Sequence, residues 1–563
     1  MAGVIYTVDA NCQDCYRCVR VCPVGAIRVE HGQARVEEAL CVACGTCVRE
    51  CPQHAKAIRD DLERARELLR TGASVAVSLA PSFAAAFPGW RAARLPAALR
   101  KLGFAKVYET AEGARAVAEA SRRLRGAGSI CTCCPAVISY IEKYKPELTP
   151  QLLPVASPMV VHGRMIKARL GARTRVVFIG PCAAKKGEAL RPENADAVDV
   201  VLTFEELSRW LESEAIDLAS CPESFFDPCG DVGQARLFPL EGGLLKTAGV
   251  EADAGSLDVV HVSGSREIMT LLDTPPSQWP YALAELMFCR GGCVGGPCMP
   301  KEQDAFSASR AVAAYAAQAI TLPGDTPAVP MDAAFAPTPV ASILPEVSEA
   351  RIREILESTG KAEAANQLNC GACGYPTCRD NAIAVARGMA EPGMCVSYAR
   401  QRAERRAEII LETSPNGIVI VDENLTVLHM NARFARMFSC DASQAGSPVS
   451  RWLDPEGFER LLAGAEGTQE AIRVREGLKY HELIYALPVE GQMVGIFVDV
   501  TAATFDARQV DLLKDQSLRG ARELLEHQIR FAQEMAHYLG KSTAQTEELV
   551  KQLMGIFAED TPR

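Results

Sequence analysis

Residues 10–27, ANCQDCYRCVRVCPVGAI, and residues 39–55, ALCVACGTCVRECPQHA, carry one signature twice. Each run is Cys-x2-Cys-x2-Cys-x3-Cys-Pro, formed by Cys12, Cys15, Cys18 and Cys22, then by Cys41, Cys44, Cys47 and Cys51. Three thiolates at that spacing wrap one corner of an iron–sulfur cube, and the fourth Cys of each run ligates the other cube. The spacing therefore predicts one ligand set of Cys12, Cys15, Cys18 and Cys51, and a second of Cys41, Cys44, Cys47 and Cys22. Zinc is the alternative. It favours two pairs of ligands over two triplets each followed by Cys-Pro.

The rest of the composition fits an electron-carrying protein. The chain has 563 residues, 48% hydrophobic, with a net charge of −10 and 22 Cys. That length has room for several domains, and the mild acidity argues against a nucleic-acid surface. Cysteines gathered at ligand spacing suit a reducing compartment better than a disulfide framework. The opening MAGVIYTVDANC has no basic-then-apolar signal. The longest uncharged stretch, Ala73 to Trp90, is broken by Pro81 and Pro88, too short to span a bilayer. The expectation is a soluble, cytoplasmic protein without a membrane span, suited to an anaerobic cell.

Residues 1–60 read as a two-cluster ferredoxin domain. From Ser74 onwards, β-branched runs such as VAVSLAP, RVVFIGP and LDVVHVSG alternate with amphipathic stretches, which predicts α/β layering. This second domain is placed at 70–316. Residues 321–340 hold five Pro, and 317–350 read as a linker. A cysteine domain follows at 351–402, then an α/β domain at 403–504 and a helical tail at 505–563. The fold class is multidomain, α+β and α/β.

Three loop-like stretches of the second domain place thiols together: CTCCPAV (131–137), GPCAAKKGE (180–188) and ELMFCRGGCVGG (285–296). On the residues alone, four thiolates there fit a further cluster with Lys185 as a nearby cation. The stretches resemble the signature loops of the iron-only ([FeFe]) hydrogenases, TSCCPxW, MPCxxKxxE and ExMxCxxGCxxGGGQP. The flanking LGFAKVYETAEGA (102–114) and VDVVLTFEEL (198–207) are also similar. The resemblance implies that Cys134, Cys182, Cys289 and Cys293 hold the cubane of an H-cluster. Cys293 would also bridge to a diiron subsite bearing CO, cyanide and a bridging dithiolate. It implies Cys133 as proton shuttle, Lys185 as contact to a cyanide, Glu188 as a relay residue and Met287 packed at the subsite.

The chain departs from that pattern at several points. Cys131 and Thr132 stand where the family prefers Thr and Ser, Val137 replaces a Trp, and Gly180 replaces a Met. Gly295-Gly296-Pro297-Cys298 replaces the Gly-rich end of the third loop. After Gly113, catalytic members carry relay glutamates (TIMEEATE). Here ARAVAEASRRL (114–124) leaves none in register, with Glu119 out of step. That combination resembles sensory members more than fast hydrogen producers. An alternative is a non-enzymatic relative of the prelamin-recognition-like proteins of cytosolic iron–sulfur assembly.

Cys370-x2-Cys373-x4-Cys378-x16-Cys395 resembles the four-Cys [4Fe-4S] module of Rnf-type subunits, with zinc as the alternative, so four [4Fe-4S] clusters are expected in all. SPNGIVIVDENLTVLHMN (414–431), Phe434, Phe438 and GIFVDVT (495–501) resemble a PAS domain of unknown ligand. Asn431 falls before its ligand-side helix, and His429 and His481 are candidate haem ligands. In the tail, Leu518, Leu525, Ala532 and Leu539 recur every seven residues beside Met535. They read as a coiled coil and a homodimer seam, or as a helix packed on its own PAS domain. His537 has too little chain after it for an ATP-binding domain, so any signal passes to a partner protein. The remaining expected partners are a ferredoxin or other redox protein and the H-cluster maturation proteins. The function expected is reversible dihydrogen oxidation or proton reduction at an H-cluster, in a sensing role. A catalytic hydrogenase subunit and an assembly protein stand as alternatives.

Overall fold

The structure is a computed structural model that describes residues 3–501, apart from 231, 251–257, 302, 319–323, 341–342, 465–466 and 488–490. The helical-tail residues Leu518, Leu525, Ala532, Met535, His537 and Leu539 lie outside the described residues. The chain divides into two compact units, residues 1–396 and residues from 397 onward.

The first unit is built round two parallel sheets. Val75–Leu79 (VAVSL) is buried at every position, as a central parallel strand covered on both faces must be. It pairs in parallel with Lys106–Glu109 and Arg175–Gly180, and the latter pairs with Val200–Thr203. The second sheet has Leu283–Met287 between Val259–Ser263 and Ser129–Ile130, all parallel. In open parallel sheets ligand sites form beyond the carboxyl ends of the strands. Here Ala80, Thr110, Pro181 and Phe288 each follow directly on a strand, and all four line one cavity. The two sheets thus present their carboxyl ends to a common space.

The N-terminal unit has two similar halves. Ile5–Thr7 pairs with Lys56–Ile58, and Ile27–Glu30 with Gln33–Val36. Cys18 and Cys47 sit in the short helices Arg17–Val21 and Thr46–Arg49. The end of this unit is tied to the parallel sheet by the wholly buried Lys186. Its Nζ donates to Asp61 at 3.0 Å, to Glu206 at 2.8 Å and to the Val201 carbonyl.

The Pro-rich stretch read as a linker is not a free spacer. Its extended backbone straps the parallel-sheet domain: Met331 O accepts from Ala156 N, and Thr338 N donates to Glu142 O. Val329, Met331 and Ala333 pack against the main core, and Phe335 packs against the core beside the second sheet. Proline fixes φ and removes a donor, which suits a segment that crosses a surface as a single strand.

The four-Cys segment packs Glu349–Ser358 against Cys378–Ala386 round Ile352, Ile355, Leu356 and Ala382. It docks on the N-terminal unit. Val29 N donates to Met389 O, and Glu391 accepts from His31 N at 2.6 Å.

The second unit has an antiparallel sheet in which Gly417–Val421 is flanked by Val427–Met430 and Gln492–Asp499. Leu478–Leu487 and then Gln469–Arg475 complete it. Its interior is filled by Phe434, Phe438, Phe497 and Tyr480, with ring centroids 4.6 Å apart at the Phe434–Phe438 pair. Among the described residues no helix of the chain is long and apolar enough to cross a membrane.

Asn431 is wholly buried and makes four hydrogen bonds. Oδ1 accepts from Ile418 N and Phe434 N, and Nδ2 donates to Leu411 O and Asn416 O. It caps the helix Ala432–Met437 and ties it to the first strand. Asn431→Ala leaves buried backbone groups unpaired, each costing about 1–3 kcal/mol. The expected result is a separate, earlier calorimetric transition for the second unit, with the transition of the first unit unmoved.

Candidate functional site

The cavity at the strand ends has an empty volume of about 810 Å³. Cys133, Cys134, Cys182, Lys185, Met287, Cys289 and Cys293 all reach its wall, from three loops spread between positions 133 and 293 of the sequence. Every cysteine, lysine and methionine that the three loops were expected to bring together is there. Glu188 stands just behind, bound to Lys185.

Each loop is fixed by local chemistry. Cys134 is the N-cap of Pro135–Tyr144, with Pro at the first helical position, where its missing N–H costs nothing. Thr132 Oγ1 donates to Val155 O at 2.5 Å, and Cys131 N donates to Ala284 O. Val137 packs in the core beside Ala284 and Leu286. Burial pushes the Cys182 thiol up to about 11, Cys134 adds to this, and the Lys185 cation and the N–H groups of Lys185 and Ala184 oppose it. Burial together with Cys182, Cys134 and Cys293 pushes Cys289 up, and burial with Cys182 and Cys134 does the same to Cys293. Cys134, Cys182, Cys289 and Cys293 are thus coupled to one another on the same wall.

Among the described residues no group of three or more His, Cys, Asp or Glu is placed to hold a metal ion. A cube holds its ligands at its corners instead, spread round a larger body. The enclosed wall, with four thiols of this kind and a lysine, fits such a body in its donor set.

Lys185 Nζ donates to Glu188 Oε2 at 2.6 Å and to Cys133 O at 3.3 Å. The pair lies one helical turn apart and neutralises a charge that burial alone would penalise. Burial, with Cys131, Glu285 and Cys134, pushes the Cys133 thiol well up. Glu285 accepts from Leu244 N and Leu245 N. Burial nonetheless raises its carboxyl to about 7.

The other cysteines sort themselves in the same way. Cys18 feels Cys15, Cys12 and Cys51. Cys22 feels Cys44 and Cys41, and Cys47 feels Cys22, Cys44 and Cys41 before Cys18. The crossed sets expected from the spacing are therefore adjacent in space. Cys44 is electrostatically coupled to Cys134 and Cys289, so the second set is near the cavity thiols. Arg20 joins the loop of Cys373 to the first set, donating to Ala372 O and Cys15 O. Cys373 in turn feels Cys395 and Cys370, and Cys370 is exposed. The Cys373 loop thus meets the first set, and the second set is coupled to the cavity thiols.

The two candidate haem histidines do not converge. His429 is on Val427–Met430 and His481 on Leu478–Leu487, with two strands between them. Glu119 is exposed, on the outer face of its helix. Sequence reasoning missed Glu112, at the start of the same helix. It is buried, takes a bidentate pair from Arg169 at 2.5 and 3.2 Å and lies 3.5 Å from His162 Nε2. Its one sequence signal was an acidic residue in the first turn before Gly113.

Comparisons with known proteins agree with this geometry. Residues 73–297 match the profile of the iron only hydrogenase large subunit, C-terminal domain. Residues 4–67 match a 4Fe-4S dicluster domain, 366–397 an Fe–S cluster profile and 405–473 a PAS domain. The chain is 28% identical over 264 residues to the periplasmic [Fe] hydrogenase large subunit of Nitratidesulfovibrio vulgaris, covering 37% of this chain and 63% of that one. It is 27% identical over 359 residues to the NADP-reducing hydrogenase subunit HndD of Solidesulfovibrio fructosivorans, covering 52% and 56%. A 93-residue stretch is 37% identical to the cytosolic Fe-S cluster assembly factor NAR1 of Vanderwaltozyma polyspora, covering 16% and 18%. The alignments span less than two thirds of either hydrogenase relative. This chain is an [FeFe]-hydrogenase-like iron–sulfur protein. In addition to the hydrogenase-type domain it carries a dicluster domain, a further Fe–S domain and a PAS domain.

Two tests follow from the site. At Gly45 (φ +77) a Cβ would lie 2.4 Å from Pro297, and neighbouring Arg49 donates to Gly295 O. Gly45→Ala should lower the unfolding free energy by about 1–2 kcal/mol from the left-handed backbone alone, and more from the clash. Its readout is urea unfolding. At Glu112, burial raises the carboxyl but His162 and Arg169 outweigh it and hold it at about 2. The folded value is depressed, so the stability is present above about 4.5 and is lost as pH falls from there towards 2. Glu112→Gln should flatten acid unfolding in that window, measured by circular dichroism against pH.

Proposed function

We propose that the chain oxidises dihydrogen or reduces protons at the cavity, in a sensing role. The observation that carries this is the meeting of Cys133, Cys134, Cys182, Lys185, Met287, Cys289 and Cys293 on one enclosed wall. On this reading Cys134, Cys182, Cys289 and Cys293 would hold a cubane, with Cys293 shared with a diiron subsite bearing CO, cyanide and dithiolate, and the group when bound would supply heterolytic cleavage of dihydrogen. The chain's residues do the rest. The thiol of Cys133, on the cavity wall, would hold and pass the proton next to the group. Lys185 offers its ammonium to an anionic ligand there and is held in place by Glu188, while Met287 excludes water.

The set of Cys370, Cys373, Cys378 and Cys395, then the sets of Cys12, Cys15, Cys18 and Cys51 and of Cys41, Cys44, Cys47 and Cys22, would each hold a [4Fe-4S] cluster, and such clusters would supply one-electron carriers towards the cavity. Exposure of Cys370 makes that end the docking point for a ferredoxin or similar carrier. The PAS match, and the absence of relay glutamates in register along 114–124, favour sensing over bulk turnover. The signal then leaves through a partner protein, with self-association as one route. An assembly role is the second reading, favoured by the NAR1 alignment. It leaves Cys133, Lys185 and Met287 without a task.

The test is infrared spectroscopy of anaerobically matured protein. Bound CO and cyanide bands are expected, and Cys134→Ala or Cys289→Ala should abolish them while the other clusters persist. Cys133→Ala should keep the bands and lower dihydrogen turnover by about 10²–10⁴-fold, the usual worth of one proton-transfer step. Cubanes without CO or cyanide bands, despite the maturation proteins, would favour the assembly reading.

A further inference from the structure

A hydrogen-bonded file of side chains leads away from the cavity where no relay glutamate stands. Thr110 lines the cavity wall. Its Oγ1 lies 2.8 Å from Ser78 Oγ, and Ser78 Oγ lies 2.7 Å from His162 Nδ1. The other ring nitrogen, Nε2, lies 3.5 Å from Glu112 Oε2 and has no closer partner among the described residues. Glu112 accepts from Gly230 N and Arg169. Arg169, with its side chain 17% exposed, donates on to Asp325 O. Thr110, Ser78, His162 and Glu112 are all buried. On the cavity wall beside Thr110, the buried hydroxyl of Ser82 also lacks a partner among the described residues.

The fold builds this file deliberately. Thr110 and Ser78 sit at neighbouring positions of the sheet, since Ser78 pairs with Tyr108 two residues before Thr110. His162 belongs to the helix Pro158–Leu170, which crosses the helix Ala111–Leu124 at Gly113. A Cβ there would meet Pro158 O at 2.6 Å and His162 Cβ at 2.7 Å. Only glycine lets the imidazole drop between Ser78 and Glu112. A buried histidine whose two nitrogens face a hydroxyl and a carboxylate can exchange a proton on either side.

We propose that Thr110, Ser78, His162 and Glu112 form a proton path between the cavity and the surface beside Arg169. The path rests on the hydrogenase reading above. In an inward transfer a solvent proton binds Glu112 Oε2 and passes to His162 Nε2. The Nδ1 proton moves to Ser78 Oγ, the Ser78 hydroxyl proton moves to Thr110 Oγ1, and the Thr110 hydroxyl proton leaves into the cavity. One proton enters, one leaves, and every O–H or N–H bond broken is matched by one formed. Rotation of the two hydroxyls and return of the imidazole tautomer reset the file. His162 and Arg169 hold the Glu112 carboxyl ionised, so a proton arriving at Oε2 passes on to the imidazole rather than staying on the carboxylate.

The test uses the full matured chain and a substitution pair that separates relay from packing. Thr110→Val keeps the volume and removes the hydroxyl, whereas Thr110→Ser keeps the hydroxyl and loses a methyl. A packing role makes Ser the harmful change. The relay makes Val the harmful one. We expect Thr110→Val and Ser78→Ala to lower dihydrogen turnover by about 10²-fold or more, with Thr110→Ser within a few-fold of wild type. All three should keep the infrared bands of CO and cyanide, and unmatured Thr110→Val should unfold no earlier than Thr110→Ser. Wild-type turnover in Thr110→Val overturns the path. Loss of its infrared bands does so too, by assigning Thr110 to cofactor retention. Bands without turnover in the wild type overturn the path and leave the metal-site reading standing. No bands in the wild type overturn that reading, and the path with it.

Discussion

Four thiols from three distant loops must meet at one enclosed point, and the rest of the first unit is arranged to make that happen. The parallel sheets solve the problem by pointing their carboxyl ends at one another, so that the loop after each strand reaches the same space. A parallel strand fixes where its following loop begins to within the register of the sheet. Ala76↔Val176 and Val260↔Ala284 are therefore as much part of the site as Cys182 and Cys289.

Around that point the protein manages buried charge by pairing it. Lys185 with Glu188, Lys186 with Asp61 and Glu206, and Arg236 with Glu109 are all buried or nearly so. Such pairs cost desolvation and gain little net stability over apolar residues. Their value is geometric, since each joins elements that must not slide. Lys186 joins the end of the N-terminal unit to the sheet. Arg236 and Tyr315 on Glu109 hold the helix Ala305–Ala316 against the strand that ends beside Thr110.

The file of cysteines depends on close backbone approach. The loop of Cys44 reaches the cavity thiols because Gly45 lets Pro297 lie against it. The four-Cys segment reaches the first set because Arg20 bridges both loops. The Pro-rich strap between these parts lies along the domain surface, spending its backbone groups on Ala156 and Glu142. Proline content alone could not separate a tether from a strap, because both are extended and the difference lies in what the far surface offers.

By itself the sequence determined whatever is local or spaced by a fixed chemistry. Ligand spacing over a few residues marked the two cysteine runs of the N-terminal unit, and resemblance to known loops and strands marked the three stretches of the cavity, the PAS-type domain and the place of Asn431. Tertiary structure alone decided what depends on two elements crossing. Glu112 was overlooked because its importance comes from His162 and Arg169, about fifty residues away, and from the missing Cβ of Gly113. Lys185 was legible as a cation near the thiols, but its pairing with Glu188 one helical turn on needed the helix. Glu119 and Glu112 are both acidic residues on one helix, and only the packing of that helix decides which faces water and which faces the core.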